Sequence, residues 1–246
     1  MDPAAAITEL LRWDTPTLYN GWEQVTAHDF ATTGFNLEPV ADFLPSAGMI
    51  GGFAVTVTIQ PSSPRYATNA GERWSGYRKY VAAAAGPKVV VVQDLDKPNL
   101  YGSFWGEVNG SVHTALECAG SITDGGVRDL GPLEQIGFKV VARRACVGHA
   151  HVAPVDWNVP VEVFGVPVRP GDAVFADRHG VLAIPAEDLA ALPAAVAYMD
   201  DAERSTIIAA ARDLSGGVAE RFDRIEDGAA RFREVVRGRF GRTGEF

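Results

Sequence analysis

The stretch that organises this chain runs from Trp105 to Asp129 and reads WGEVNGSVHTALECAGSITDGGVRD. A turn-like Trp-Gly-Glu opens it, and residues 111–119 have the composition of a short helix. A short apolar link at residues 121–123 then leads to Asp-Gly-Gly-Val-Arg-Asp at residues 124–129. A loop, helix, strand and loop of this length can return to the same edge of a sheet. The pattern therefore predicts that the two ends of the stretch lie close together.

The end of this stretch combines groups suited to an anion with a group suited to a cation. The glycines at residues 125–126 allow the backbone to approach a ligand closely. The guanidinium of Arg128 is a planar fork for carboxylate or phosphate, and Asp129 offers hard oxygen atoms for a divalent cation. Glu107 adds a carboxylate 21 positions before Arg128. A structural Arg128–Asp129 ion pair at a turn is the alternative interpretation, because surface pairs of this kind are common.

The spacing resembles that of the family containing the regulator of RNase activity A and the class II 4-hydroxy-4-methyl-2-oxoglutarate aldolases. The family pattern is a Gly, three residues, an acid, twenty residues and Arg-Asp. Glu107 stands at the acid, where Asp is commoner, and Arg128-Asp129 closes the pattern. Ser103 stands at the first Gly, next to Gly102. Further segments are similar to the family's first core strand, its later hairpins and the turn after them: residues 47–57, 158–163, 168–172 and 177–181.

The resemblance implies an α/β fold with a β/β/α sandwich of the swivelling-domain type. The alternation of predicted strands and helices supports an α/β class independently. We expect a single RraA-like domain over residues 1–246, with helical arms at about residues 1–30 and 187–246. Strands are predicted at 52–60, 89–92 and 137–143, and residues 116–123 are expected to hold a helix end followed by a strand. A helix is predicted at 75–85 and an antiparallel meander over 160–185.

The resemblance also implies a function. It implies a divalent-metal-dependent carbon–carbon lyase of the class II aldolase type, cleaving a 4-hydroxy-2-oxo acid to pyruvate or another 2-oxo acid through an enolate. Mg²⁺ or Mn²⁺ would be held by Asp129, with Arg128 and Glu107 as catalytic residues. The substrate-binding residues implied are Gly106, Glu107, Val108, Asn109 and Arg128. Oxaloacetate decarboxylation is the expected side activity, because it uses the same enolate. A homotrimer or homohexamer is implied, with the site between subunits and a carboxylate supplied by the partner.

Two other functions remain open at this stage. The chain could be a non-catalytic regulator that binds an RNA-degrading enzyme, as the name-giving family member does. It could also be a lyase or hydratase for another 2-oxo or 2-hydroxy acid, as the extra aromatic residues Phe104 and Trp105 suggest. His149 and His151 are predicted to lie on one side of a strand, where they could bind a metal or a substrate carboxylate.

Composition narrows the class of protein further. The chain has 246 residues, 47% of them hydrophobic, which is typical of a globular protein with a sizeable core. Its net charge of −9 argues against a general nucleic-acid binder. No apolar run approaches the ~18 residues of a membrane span, and the first residues lack a signal-peptide pattern, so we expect a cytoplasmic protein. Asp94 and Asp96 follow a predicted strand and are expected in a solvated turn.

Overall fold

The computed structural model describes residues 2–242, which form eight α-helices and eleven β-strands. The helices are α1 (Pro3–Leu10), α2 (Thr15–Val25), α3 (Ala70–Ala83), α4 (Glu107–Ala115), α5 (Leu130–Gln135), α6 (Leu192–Ser205), α7 (Ile207–Arg212) and α8 (Val218–Phe240). The strands are β1 (Ala41–Asp42), β2 (Ile50–Ile59), β3 (Lys88–Asp94), β4 (Ser103–Trp105), β5 (Cys118–Val127), β6 (Lys139–Ala145), β7 (Pro154–Trp157), β8 (Val161–Val163), β9 (Val166–Val168), β10 (Ala173–Asp177) and β11 (Gly180–Ile184).

Nine of these strands form one mixed sheet in the order β1-β6-β5-β3-β2-β10-β11, with β4 beside β5 and β7 beside β2. The central strands β2, β3, β5 and β6 are parallel, and the β10–β11 hairpin joins β2 antiparallel. Val89–Val92 in β3 are completely buried, as expected of a parallel strand covered on both faces. The parallel strands end at a common edge, which is where α/β sheets place ligand loops.

The two faces of the sheet are covered differently. On one face the β8–β9 hairpin contributes Val163, Phe164 and Val166 to the core. On the other face α3 packs Tyr77 and Val81 against the sheet, together with residues of α5. Hairpin, sheet and helices therefore form the three layers of a β/β/α sandwich, and the predicted fold class is confirmed.

Helices from both ends of the chain pack together beside the β10–β11 hairpin, where they share one core cluster. Asp14 begins α2, because its side chain accepts a hydrogen bond from the N–H of Thr17 at 3.0 Å. Helix α8 returns onto α6 through contacts between Met199 and Phe232. Helical segments at both ends were predicted and are found, although residues 1 and 243–246 of the predicted arms lie outside the described part. The single-domain assignment stays a prediction.

The predicted boundaries inside the organising stretch were wrong. The helix expected at 111–119 lies earlier, at Glu107–Ala115, and the chain leaves it through Glu117 with a left-handed φ of 61°. The strand expected within residues 116–123 is found, but it is longer, since residues 121–123, also described as a link, are the middle of the ten-residue strand β5. Ser121 and Thr123 are completely buried there. The buried hydroxyl of Ser121 is satisfied because it donates to the carbonyl of Val90 at 2.9 Å.

Candidate active site

The two ends of the organising stretch meet at the end of β5. Strand β4 runs parallel to β5, and the N–H of Arg128 donates to the carbonyl of Trp105 at 3.0 Å. The buried hydroxyl of Ser103 lies 2.5 Å from the carbonyl oxygen of Trp105 and 2.9 Å from that of Gly126, and its single proton is shared between them, which ties the two strands together. Serine at this position therefore strengthens the junction at which the family pattern has glycine.

Asp129 is held in a defined orientation. Its backbone has a left-handed φ of 55°, and it is the residue that precedes α5. Its Oδ2 accepts a hydrogen bond from the N–H of Glu107 at 3.1 Å. A Cβ on Gly106 would lie 2.5 Å from the same Oδ2, which is closer than real Cβ atoms come. Only glycine therefore lets β4 approach the carboxylate this closely.

Arg128 lines an open cleft of about 230 Å³. Its side chain is 35% exposed, and Asp129, at 3.8 Å, is the only carboxylate within 4 Å of the guanidinium among residues 2–242. A separation of 3.8 Å is too long for a hydrogen bond. The donors of Arg128 are therefore available to an anionic ligand in the cleft.

The first turn of α4 borders the same cleft. The first N–H groups of a helix have no intrahelical partner and favour an anion. In α4 the backbone N–H of Glu107 donates to the carboxylate of Asp129. The side-chain amide of Asn109 donates to the carbonyl of Phe104 at 2.6 Å. Glu107 and Val108 are exposed at this turn. The structure thus brings all the predicted site residues, Gly106 to Asn109 with Arg128 and Asp129, to one place.

The outer wall of the cleft contains residues that the sequence did not point to. Trp74 and Arg78 line it from α3, and Val152 lines it from the loop before β7. Of the two histidines, His149 lines the cleft, whereas the N–H of His151 donates to the carbonyl of Pro61 at 3.0 Å. Both lie in a turn after β6 and not on a strand, so that prediction was wrong.

Two buried carboxyl groups support the end of the sheet behind the site. Asp94 and Asp124 are completely inaccessible, so a solvated turn was the wrong expectation for Asp94. Asp124 accepts from the N–H of Asp94 at 2.7 Å and lies 2.7 Å from the ammonium of Lys97. Burial raises the pKa of Asp94 to about 7 and also raises the pKa of Asp124. This cluster joins the ends of β3 and β5, and Arg128 lies four residues beyond Asp124.

Two larger cavities, of about 360 and 430 Å³, lie on either side of the β10–β11 turn at His179. His179 is tied to Asp177, whose carboxylate also accepts from the N–H and hydroxyl of Thr15. These contacts fasten α2 to the hairpin. We place the candidate site at the smaller cleft because Arg128 and the first turn of α4 line it, and Asp129 adjoins both through its contacts with Arg128 and with the N–H of Glu107.

The candidate site lies within a segment that matches a known protein family. The sequence profile of the RraA-like family, described as Aldolase/RraA, matches residues 16–183, which is more than half of the chain. The chain belongs to the RraA-like family. The matched segment includes the whole mixed sheet except β11's last residue, together with Gly106, Glu107, Arg128 and Asp129.

Individual RraA-like relatives are distant. The chain is 26% identical to the protein DlpA of Legionella pneumophila over 171 residues, which cover 63% of this chain and 27% of DlpA. It is 34% identical over 71 residues to a Halalkalibacterium halodurans protein provisionally named a 4-hydroxy-4-methyl-2-oxoglutarate aldolase. That match covers 28% of this chain and 34% of the relative. The matched segments thus span about a quarter to a third of these two proteins.

A solved structure shows the same fold. The chain resembles the Streptomyces coelicolor protein RraAS2, described as an unusual member of the RNase ES inhibitor RraA family, with a TM-score of 0.63 and 20% identity. The likeness covers 82% of this chain and 93% of that one. Within residues 2–242, no helix is both long and apolar enough to cross a membrane.

The metal that the RraA-like resemblance implies can be tested against the donor atoms. Residues 2–242 hold no group of three or more His, Cys, Asp or Glu side chains placed to bind a metal. Asp129 is a single carboxylate, 32% exposed, whose Oδ1 accepts no hydrogen bond from the described residues. One carboxylate facing water suits Mg²⁺, which keeps several of its waters. It does not suit a structural zinc site, which needs four protein ligands.

Proposed function

We propose that the protein is a class II aldolase-type lyase that cleaves a 4-hydroxy-2-oxo acid and releases pyruvate or another 2-oxo acid. The observation that carries this proposal is the guanidinium of Arg128, which faces the cleft beside the start of α4 and the free oxygen of Asp129. The guanidinium of Arg128, the N-terminus of α4 and the carboxylate of Asp129 thus lie together, and each suits one part of a 2-oxo acid complex. Membership of a family described as Aldolase/RraA supports the same class of reaction.

Arg128 binds the carboxylate of the 2-oxo acid, assisted by the open N–H groups at the first turn of α4. Asp129 would hold Mg²⁺ or Mn²⁺, which supplies Lewis-acid polarisation of the 2-oxo group. Glu107 is exposed beside these groups and takes the proton of the C4 hydroxyl, directly or through a water. The C3–C4 bond then breaks: C4 leaves as the carbonyl carbon of the second product, and the electron pair of the bond forms the enolate of the 2-oxo acid. A water protonates C3 before release, and Glu107 gives its proton back to solvent. Arg128 stabilises the negative charge of that enolate.

The same arrangement supports decarboxylation of oxaloacetate as a side activity. Loss of CO₂ from oxaloacetate leaves the enolate of pyruvate, so Arg128 would stabilise the same charge. Glu107 is not required for this reaction, because there is no hydroxyl proton to remove. A Glu107→Gln variant should therefore lose aldol cleavage while it retains oxaloacetate decarboxylation.

We further propose that the active form is a homotrimer or homohexamer with the cleft at a subunit interface. Exposed apolar side chains near the site support this assembly. Val108 is 71% exposed on α4, Leu130 is 38% exposed beside Asp129, and Val147 is 95% exposed after β6. A second copy covering them would close the cleft and could supply a further carboxylate.

A regulator of an RNA-degrading enzyme is the second candidate. Two observations favour it: the net charge of −9 and the fold likeness to RraAS2, whose description places it in an RNase inhibitor family. Such a regulator would bind a basic partner surface without turnover. A regulatory role does not explain why Arg128, Asp129 and the N-terminus of α4 lie together, so we rank the lyase first.

The decisive experiment measures pyruvate release from 4-hydroxy-4-methyl-2-oxoglutarate and from oxaloacetate, with Mg²⁺ and with EDTA. Arg128→Ala and Asp129→Ala are compared with Arg231→Ala, which removes an exposed charge from α8. We expect the first two variants to lose at least about a hundredfold in rate and the control to match the wild type. Full activity in Asp129→Ala, or no pyruvate with either metal, would contradict the proposal. Inhibition of an RNA-degrading enzyme by all four proteins would then favour the regulator.

A further inference from the structure

Arg78 is held at the outer wall of the cleft by an aromatic stack. Trp74 and Arg78 lie one helical turn apart on α3, so their side chains are neighbours. The guanidinium carbon of Arg78 lies 5.2 Å from the centre of the Trp74 ring. Trp74 in turn stacks on Phe104, with ring centres 5.0 Å apart and planes at 25°. Because Phe104 belongs to β4, this stack positions Arg78 relative to the strand that leads to Gly106.

The guanidinium of Arg78 lacks an anionic partner. Among residues 2–242 no carboxylate lies within 4 Å of it, and its buried Nε makes no hydrogen bond. Arg73, on the same helix, differs in this respect, because it donates to the side chain of Asn69 and to the carbonyl of Val155 at 2.7 Å. Buried polar groups in folded proteins are nearly always paired, so an arginine that lines a cleft and has no partner for its charge or its Nε indicates a ligand.

The lining of the cleft therefore combines two arginine side chains with aliphatic surface. Arg128 and Arg78 both line it, and Val108 and Val152 supply aliphatic surface. His149 also lines the cleft. Its Nδ1 lies 2.8 Å from the carbonyl oxygen of Ala150, and because a carbonyl oxygen can only accept a hydrogen bond, Nδ1 carries the ring proton. A volume of about 230 Å³ is below the ~300–1,000 Å³ of pockets for drug-sized ligands, which favours a small acid over a nucleotide.

We propose that Arg78 is a specificity-determining residue that binds a second carboxylate, located on the leaving half of the 2-oxo acid. The identity of the first anchor, Arg128, rests on the proposed function. In this arrangement Arg128 binds the carboxylate next to the 2-oxo group and Arg78 binds the distal carboxylate. The stack on Trp74 keeps the planar fork of Arg78 oriented for two parallel hydrogen bonds.

The test is a binding measurement with two matched acids. Calorimetry in the presence of Mg²⁺ compares 2-oxoglutarate with 2-oxopentanoate, in which a methyl group replaces the distal carboxylate. The proteins are wild type, Arg78→Gln, Arg78→Lys and the control Lys79→Gln, which removes an exposed charge one residue further along α3. We expect Arg78→Gln to bind 2-oxoglutarate on the order of ten- to a hundredfold more weakly and 2-oxopentanoate as the wild type does.

The remaining results separate this inference from the proposed function. Arg78→Lys should lie between wild type and Arg78→Gln, because it keeps the charge and loses the fork. Equal weakening of both acids in Arg78→Gln, no weakening at all, or wild-type protein that binds neither acid would overturn the role of Arg78. Selective loss of 2-oxoglutarate binding in a protein that releases no pyruvate would keep Arg78 as an anion-binding residue and reject the lyase. If Arg78→Gln does not fold, the same comparison is decided by Arg78→Lys.

Discussion

The backbone N–H of Glu107 donates to Asp129 Oδ2 over 3.1 Å, so the first residue of α4 and the residue that precedes α5 hold each other in place. This hydrogen bond uses one carboxylate oxygen and leaves Oδ1 for a ligand. It joins residues 22 positions apart in sequence, which explains how a short motif and a distant acid form one site. The geometry depends on Gly106, which separates β4 from α4.

The substitution Gly106→Ala tests this geometry directly. The new Cβ would lie 2.5 Å from Asp129 Oδ2 and 3.2 Å from Arg128 Nε, so both side chains must move. A displacement of about 1 Å at a reacting group can cost on the order of a hundredfold in rate, and we expect a loss of that size with little change in Tm. Kinetics and thermal melts check it. Gly131→Ala, where a Cβ would meet nothing within 4 Å, is the control and should stay active. Equal activity of the two variants would refute this role for Gly106.

The buried carboxyl of Asp94 gives the stability of the protein a pH dependence. Burial raises its pKa to about 7, so between about pH 4 and 7 the folded state holds a proton that the unfolded state releases. The free energy of unfolding therefore falls as pH rises from about 4 to 7, because ionised Asp94 is less stable in the folded state than in the unfolded state. The total loss above pH 7 is up to about 4 kcal/mol. Asp94→Asn removes this titration and keeps an oxygen for the N–H of Asp96. Urea unfolding should show the variant gaining free energy of unfolding, relative to wild type, from pH 4 to 8. A difference that does not vary with pH would contradict this.

His113 is a buried residue with one hydrogen bond at each ring nitrogen, and a substitution of the partner residue can remove one bond and keep the other. Its Nδ1 lies 2.7 Å from the carbonyl of Asn109, so its Nε2 accepts from the hydroxyl of Tyr77 at 2.9 Å. Burial lowers the pKa of His113 to about 4, and the ring is neutral at pH 7. Tyr77→Phe leaves Nε2 buried and unpaired, which should reduce the free energy of unfolding by about 1–3 kcal/mol. Urea unfolding at pH 7 measures this, with the exposed Tyr101→Phe as a neutral control. A Tyr77→Phe protein as stable as that control would argue against the bond.

A buried ion pair attaches β1 to the sheet. Lys139 Nζ lies 2.6 Å from Asp42 Oδ2, and the two side chains are only 1% and 4% exposed. Lys139→Met leaves the carboxylate of Asp42 buried without its cation, and we expect a loss of about 3–5 kcal/mol in the free energy of unfolding. Adding Asp42→Asn should recover most of this loss, because the uncompensated charge is gone. Chemical unfolding measures the stability of Lys139→Met and of the double variant. If these two proteins are equally stable, the buried charge of Asp42 is not the cause of the loss.

The features predicted correctly are those that have a strong local pattern. The valine run at residues 89–92 was predicted to be a strand, and it lies in β3. The meeting of Glu107 with Arg128 and Asp129 followed from the length of chain between them. The layers of the sandwich came from the family resemblance, because no local pattern states which face of a sheet a hairpin covers.

The outer wall of the cleft could not be predicted in the same way. His149 and His151 were placed on a strand because nothing marks Ala150 as a residue with a left-handed φ of 48°. Trp74 was missed because the predicted helix began at residue 75, whereas α3 begins at Ala70. The four-residue spacing of Trp74 and Arg78 was the available signal, and it has meaning only once both are known to be helical. Burial of Asp94 depended on its contact with Asp124, thirty residues away.

The cleft has two walls, which are built from three separate segments of the chain. Its inner wall comes from β4, the first turn of α4 and the end of β5, which hydrogen bonds and a glycine contact lock together. Its outer wall comes from the exposed side of α3, which is joined to the inner wall through aromatic packing, and from the loop after β6, where the carbonyl of Gly148 accepts a hydrogen bond from the N–H of Ser103 at 3.0 Å. Substitutions on the outer wall can therefore accumulate while the reacting groups keep their positions. In the proposed lyase, substrate preference can therefore diverge, or be engineered, faster than reaction type.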